Sequence, residues 1–183
     1  MYRQSLAAIL ILMSLFFGLA QLVTAQNSGH GMPAAEGNLF LGLRGTTPGE
    51  AVSGVGMDVF LFKGLAAGAE FGTSIASSDA RISIVSTDLS YHFRNVDSRK
   101  VEPFIGGGIS LVGGHSNLPP VCFGCSGSFI GYNINAGLIA WASRHVGMQI
   151  AARIYHIPWN NWNLGEFVPQ TFAELHIGIA FRL

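Results

Sequence analysis

The chain has 183 residues, 49% hydrophobic and only 11% charged, well under half the roughly 25% usual for a soluble domain. That length allows one domain and not two comfortable ones. Ten basic and ten acidic residues cancel, so no basic surface is offered to nucleic acid, and the composition points to a membrane.

Arg3 supplies a positive start, and residues 6–22 are a nearly unbroken apolar run. Val23-Thr24-Ala25 then places small residues at the two positions a signal peptidase reads. An anchor helix is the competing reading, because about 18 apolar residues can span a bilayer. The polar stretch 26–37 favours cleavage after Ala25, giving a signal peptide over 1–25, a periplasmic linker over 26–36 and a barrel over 37–183. The residue after the cleavage point is not Cys, which argues against a lipoprotein. Beyond residue 25 no apolar stretch approaches helix-spanning length. A mature chain that crosses a membrane must then be a closed barrel, which satisfies its backbone hydrogen bonds between strands.

A barrel strand presents an apolar side chain to lipid at every second residue. Eight segments read this way. The first has Leu39, Leu41 and Leu43 on one parity against Arg44, and the second Val55, Met57, Val59 and Leu61 against Asp58. The third sets Leu65, Ala67, Ala69 and Phe71 against Glu70, and the fourth Val85, Leu89, Tyr91 and Phe93 against Asp88, His92 and Arg94. In the fifth, Val101, Ile105, Ile109 and Leu111 oppose Glu102 and a run of glycines. Ile130, Tyr132, Ile134 and Leu138 oppose Asn133 and Asn135 in the sixth, and Val146, Met148, Ile150 and Ile154 oppose Gln149, Arg153 and Tyr155 in the seventh. The eighth alternates Leu175, Ile177, Ile179, Phe181 and Leu183 with Glu174, His176 and Arg182. The apolar parities contain no Asp, Glu, Lys or Arg. That is what lipid demands, since a basic residue at mid-membrane costs about 2–4 kcal/mol. The fold predicted is all-β: an eight-stranded antiparallel up-and-down transmembrane β-barrel.

Tight connections at Lys63-Gly64, 95–100 and 142–144 alternate with longer ones at 46–53, 76–81, 113–128 and 157–170. Short turns belong on the periplasmic side and long loops outside. Tyr91, Phe93, Trp141 and Phe181 then read as a periplasmic aromatic girdle, with Tyr132 near the outer rim. Residues 175–183 resemble the C-terminal β-signal of outer-membrane proteins, with Leu183 where Phe or Trp is usual. Tyr91-His92-Phe93-Arg94 and 101–108 resemble the paired hairpin of OmpA-like and OmpX-like small barrels. The resemblance implies a bacterial outer-membrane location, contact with lipid and lipopolysaccharide, and insertion by the barrel-assembly machinery. It also implies a monomer.

Asp58, Glu70, Asp88, Glu102 and Glu174 share the inward parity with Arg44, Arg94, Arg153 and Arg182. Eight strands leave an interior that side chains nearly fill, and near-balanced charges there should pair. A structural plug is expected; an ion pathway is the alternative, and a general porin is rejected. Glycines 106–108 are not a phosphate loop, because no Gly-Lys-Ser/Thr follows. Cys122-Phe123-Gly124-Cys125 reads as a small disulfide loop in an exported protein, with a redox pair or half a zinc site (His115 beside it) as alternatives. No cofactor or metal is expected.

His156, Asn160, Asn161, Asn163 and Gly165 before the last strand resemble the end of PagL-type lipid A deacylases (acyloxyacyl hydrolases). The resemblance implies a His and a Ser two residues later as a hydrolytic pair, with a carboxylate such as Glu166 orienting the His. Pro158 stands where the Ser should be and has no hydroxyl, so His156 reads as the remnant of a site. Ser128 and Ser143 are the alternative nucleophiles weighed. A non-enzymatic structural or surface-interaction barrel is the first expectation, a PagL-type esterase the second and a carrier of a small hydrophobic ligand the third.

Overall fold

The computed structural model describes residues 35–45, 49–74, 80–94, 100–116, 125–158 and 170–183. They form eight strands: β1 (Ala35–Arg44), β2 (Glu50–Phe62), β3 (Leu65–Ser74), β4 (Ala80–His92), β5 (Val101–Ser116), β6 (Cys125–Trp141), β7 (Val146–His156) and β8 (Thr171–Arg182). Each pairs antiparallel with the next, and β1 pairs with β8 to close the barrel. The residues of the expected signal peptide and linker up to 34 lie outside the described residues.

Strand direction follows from side-chain parity. Leu39, Leu41, Leu43, Ile105, Ile109, Ile134, Ile150 and Ile177 face outward and are exposed, while their neighbours on the other parity are buried or half-buried. In water this distribution would expose a continuous apolar belt; in lipid the belt is solvated. Closure staggers the strands. Rungs followed from Glu36 through Asp58, Gly68, Asp88, Gly108, Asn133 and Tyr155 arrive at Phe172. Across the closing seam Glu36 meets Arg182 instead, ten residues further along β8. That stagger tilts every strand and decides which lumen residues share a level.

The β2–β3 connection shows how local chemistry sets register. Lys63 and Gly64 have φ values of 36° and 92°, the left-handed pair of a type I′ hairpin. Just before it the pairing slips between Phe60 and Phe62, so Leu61 and Phe62 both face out.

Several boundaries differ from the sequence expectation. β1 begins at Ala35, two residues inside the expected linker, because Glu36 finds cationic partners in the lumen. β2 begins at Glu50, β4 at Ala80, and β5 and β6 extend to Ser116 and Cys125, each inside a stretch expected to be loop. Small residues there hide the alternation, yet the ladder continues through pairs such as Gly113↔Ser128 and Gly114↔Gly127. Trp141 is not part of a girdle: it is 7% exposed and faces the lumen, as the odd parity of β6 requires.

Two apolar clusters bracket the interior. Ile82, Ile84, Val112, Tyr155, Ile157 and Phe172 close the end of the long connections, the outer end in the sequence reading, with Phe129 packed against them. Phe104, Ile139, Trp141, Ala151 and Ala180 pack toward the end of the short turns, the periplasmic end in that reading. Gly137 faces the Phe104 ring, where a Cβ would approach to 2.6 Å; a glycine is needed there for the ring to fit.

Candidate functional site

The polar residues of the lumen assemble at three levels. At the outer level Arg44, almost wholly buried, donates from Nε to Glu174 and from Nη1 to Glu50 Oε2 and Ser74 Oγ, both at 3.1 Å. Ser74 Oγ donates in turn to Glu50 Oε2 at 2.8 Å. The other oxygen of Glu174 lies 2.9 Å from His176 Nε2 and accepts from the Tyr155 hydroxyl at 3.4 Å. His176 stacks on Phe40 with ring centroids 4.1 Å apart.

Arg153 organises the middle level. Its Nη2 reaches Glu70 Oε2 at 3.2 Å and Asp88 Oδ2 at 2.8 Å. Asn133 Nδ2 donates to Asp88 Oδ1 at 2.8 Å and to Ser110 Oγ at 2.9 Å, and Asn135 Nδ2 to Asp88 Oδ2 at 3.3 Å. A cavity of about 30 Å³ lies here, lined by Asp58, Glu70, Asp88, Asn135, Gln149 and Arg153 among others. It has room for a water molecule or two and not for a small organic ligand. Gly108 sits opposite Asp88, and a Cβ there would press on its carboxylate and on the β4 backbone.

The periplasmic level is the most connected. Glu36 Oε1 accepts from Arg94 Nη2 at 2.8 Å and Arg182 Nε at 2.9 Å. Glu102 Oε1 accepts from Arg94 Nε at 2.9 Å, and Oε2 accepts from Arg182 Nη2 and from Trp141 Nε1 at 3.1 Å. His92 places Nδ1 2.9 Å from Glu102 Oε1 and Nε2 3.2 Å from Ser90 Oγ. The guanidinium of Arg94 lies over Phe60 at 3.6 Å and that of Arg182 over Trp141 at 3.7 Å.

All nine charged residues that parity assigns to the lumen face it, but they do not form one plug. Arg44 and Glu174 belong to the outer level; Asp58, Glu70, Asp88 and Arg153 to the middle; Arg94, Glu102 and Arg182 to the periplasmic level. Nor are the charges near balance. Glu36 and Glu50 join them, so the described lumen holds seven carboxylates against four guanidiniums. Sequence reading missed Glu36 because it stands ahead of the first apolar alternation. It missed Trp141 as a lumen ligand because aromatic residues near strand ends usually face the interface.

His156 is exposed on the outer face at the rim, paired with Tyr132 and Thr171. Its Nδ1 lies 2.9 Å from Thr171 Oγ1. Ser128 stands four residues up β6 from Tyr132, roughly 13 Å along the strand. Ser143 lies in the β6–β7 turn at the opposite end. Neither reaches His156, and Glu174 turns inward, so the described residues assemble no triad around this histidine. Glu166, Cys122 and hence the Cys122–Cys125 pairing lie outside the described residues.

No family model and no curated protein matches the chain. Solved structures do. The N-terminal β-barrel domain of Pseudomonas aeruginosa OprF superposes with a TM-score of 0.65 at 13% identity, covering 81% of this chain and 96% of that one. Neisserial surface protein A superposes with a TM-score of 0.61 at 15% identity, over 81% and 96%. The outer membrane enzyme PagL aligns at 9% identity with a TM-score of 0.49, over 81% and 99%, which adds nothing to the case for catalysis. At these identities the likeness is one of fold: the chain has the closed eight-stranded architecture of the small outer-membrane β-barrels.

Proposed function

We propose that this chain is a structural or surface-interaction barrel of the bacterial outer membrane, exported by a signal peptide cleaved after Ala25 and closed to solutes along its axis. One observation carries the reading: three hydrogen-bonded polar levels fill the lumen, and apolar clusters bracket them. An open pathway would need a continuous wet bore, and the cavity at the middle level is of water size. Binding, in this reading, falls to the outer connections, with lipid and lipopolysaccharide as the surroundings and the barrel-assembly machinery as the partner during insertion.

The test is a comparison of boiled and unboiled outer-membrane fractions, followed by reconstitution into planar bilayers. A gel shift with a mature start at Gln26 and baseline conductance are expected. Stable ohmic conductance steps would sink the closed lumen, and recovery from the soluble periplasm would sink the membrane assignment. Release of an acyl chain from lipid A by the purified barrel would favour the esterase reading. His156 has a hydroxyl neighbour in Thr171 but no carboxylate within reach among the described residues, so no release is expected.

A further inference from the structure

The periplasmic level contains a donor set that ion pairing does not use up. Glu36, His92 and Glu102 each offer one ligand atom within 4.8 Å of the others, and all three residues are buried. Glu36 is 3% exposed, yet its Oε2 has no hydrogen-bond partner among the described residues. That oxygen faces His92 Nδ1 at 3.9 Å, and Nδ1 faces Glu102 Oε1 at 2.9 Å. Leaving a buried carboxylate oxygen without a partner is unfavourable, and a ligand at this point would relieve it.

We propose that Glu36, His92 and Glu102 form a binding site for a divalent transition-metal ion of the Zn²⁺ class, entered from the periplasmic mouth. The spacing fits. Donors about 2.1 Å from a tetrahedral ion stand roughly 3.4 Å apart, between the two separations seen at His92 Nδ1. The ligand types fit as well: an imidazole nitrogen and two carboxylate oxygens leave a fourth position for water.

The surroundings supply what ligating groups require. A metal-bound imidazole donates its other N–H, and Ser90 Oγ stands at Nε2 to accept it. The oxygens that do not ligate are already held, Glu36 Oε1 by Arg94 and Arg182 and Glu102 Oε2 by Arg182 and Trp141. An ion would displace the Nδ1 proton and the Arg94 Nε contact to Glu102 Oε1, leaving the other contacts in place. Two guanidiniums beside a cation carry a charge cost. The next level offsets it, because Asp58, Glu70 and Asp88 face the single guanidinium of Arg153, and Asp58 is within Coulombic reach of His92 and Glu102. The side chains of Arg94 and Arg182 are 16% and 17% exposed at the mouth, so an arriving ion meets side chains able to yield toward solvent.

The experiment uses the full mature barrel refolded in detergent, with the boiling-dependent gel shift as the fold control. Zn²⁺ titrated by calorimetry is expected to bind one ion per chain, and Co²⁺ to give an absorption band of the intensity typical of a four-coordinate site. Glu36→Gln, which keeps the side-chain shape, is expected to weaken binding at least tenfold, and Ser90→Ala by about 10–100-fold as an outer partner of the histidine. His92→Ala should abolish the band; if that variant loses the gel shift, Glu36→Gln alone decides. Unchanged affinity in Glu36→Gln would overturn the site, placing any bound ion at an exposed histidine such as His145 or His156. Absence of binding at millimolar Zn²⁺ would overturn it equally.

Discussion

At the scale of single residues, Arg153 is the side chain on which the middle of the lumen depends. Its guanidinium is the sole cation facing Glu70 and Asp88 among the described residues. Taking one partner from a buried ion pair costs about 3–5 kcal/mol, because the charge left behind has neither water nor a counter-ion. Arg153→Met is therefore expected to lower stability by about that amount in guanidinium unfolding from lipid vesicles. Adding Glu70→Gln to Arg153→Met should recover part of the loss. If the double variant is no more stable than the single one, Glu70 is not a partner that matters. That Arg153 would face inward was legible from parity alone. Its choice of Glu70 and Asp88 was not, since those residues lie 83 and 65 positions away and meet it only across the bore.

Elements are decided by a different balance. The β2–β3 hairpin depends on two left-handed residues, and Gly64 also has the backbone carbonyl of His92 where a Cβ would go. Gly64→Ala is expected to cost at least about 1–2 kcal/mol, and Gly64→Asn less of the conformational part, because Asn tolerates this region better. Equilibrium unfolding of both variants checks the order. On β6, Ile134 points into lipid, 63% exposed, between Gly107 and Ile154. Ile134→Arg should destabilise the barrel by about 2–4 kcal/mol if this face meets the membrane centre, and by almost nothing if the face is solvated by water. The strands themselves were legible because apolar residues recur at every second position. Their outer ends were not: Gly113, Gly114, Gly127 and Ser128 carry no hydrophobic signal, and only cross-strand pairing extends β5 and β6 that far.

For the whole molecule, the levels lie in series along one axis, so opening one does not open the bore. Replacing Arg44 and Glu174 together by Ser removes the outer pair but leaves the Ile82, Ile84, Val112 and Phe172 cap and the Arg153 level in place. Planar-bilayer conductance of that double variant is expected to stay at baseline. Steps of conductance would show that the outer pair alone gates the lumen.

The sequence by itself determined which face of the barrel most strand residues occupy, because lipid tolerates no charge and a strand alternates its faces except at a bulge. It also determined the number of strands. Only the tertiary structure decided which charges meet, that Glu36 and Trp141 belong to the lumen, and that a carboxylate oxygen there has no partner among the described residues beside His92. The physical reason is closure. The ten-residue stagger around the barrel is a property of all eight pairings at once, and it brings to one level residues whose separation along the chain carries no trace of their meeting.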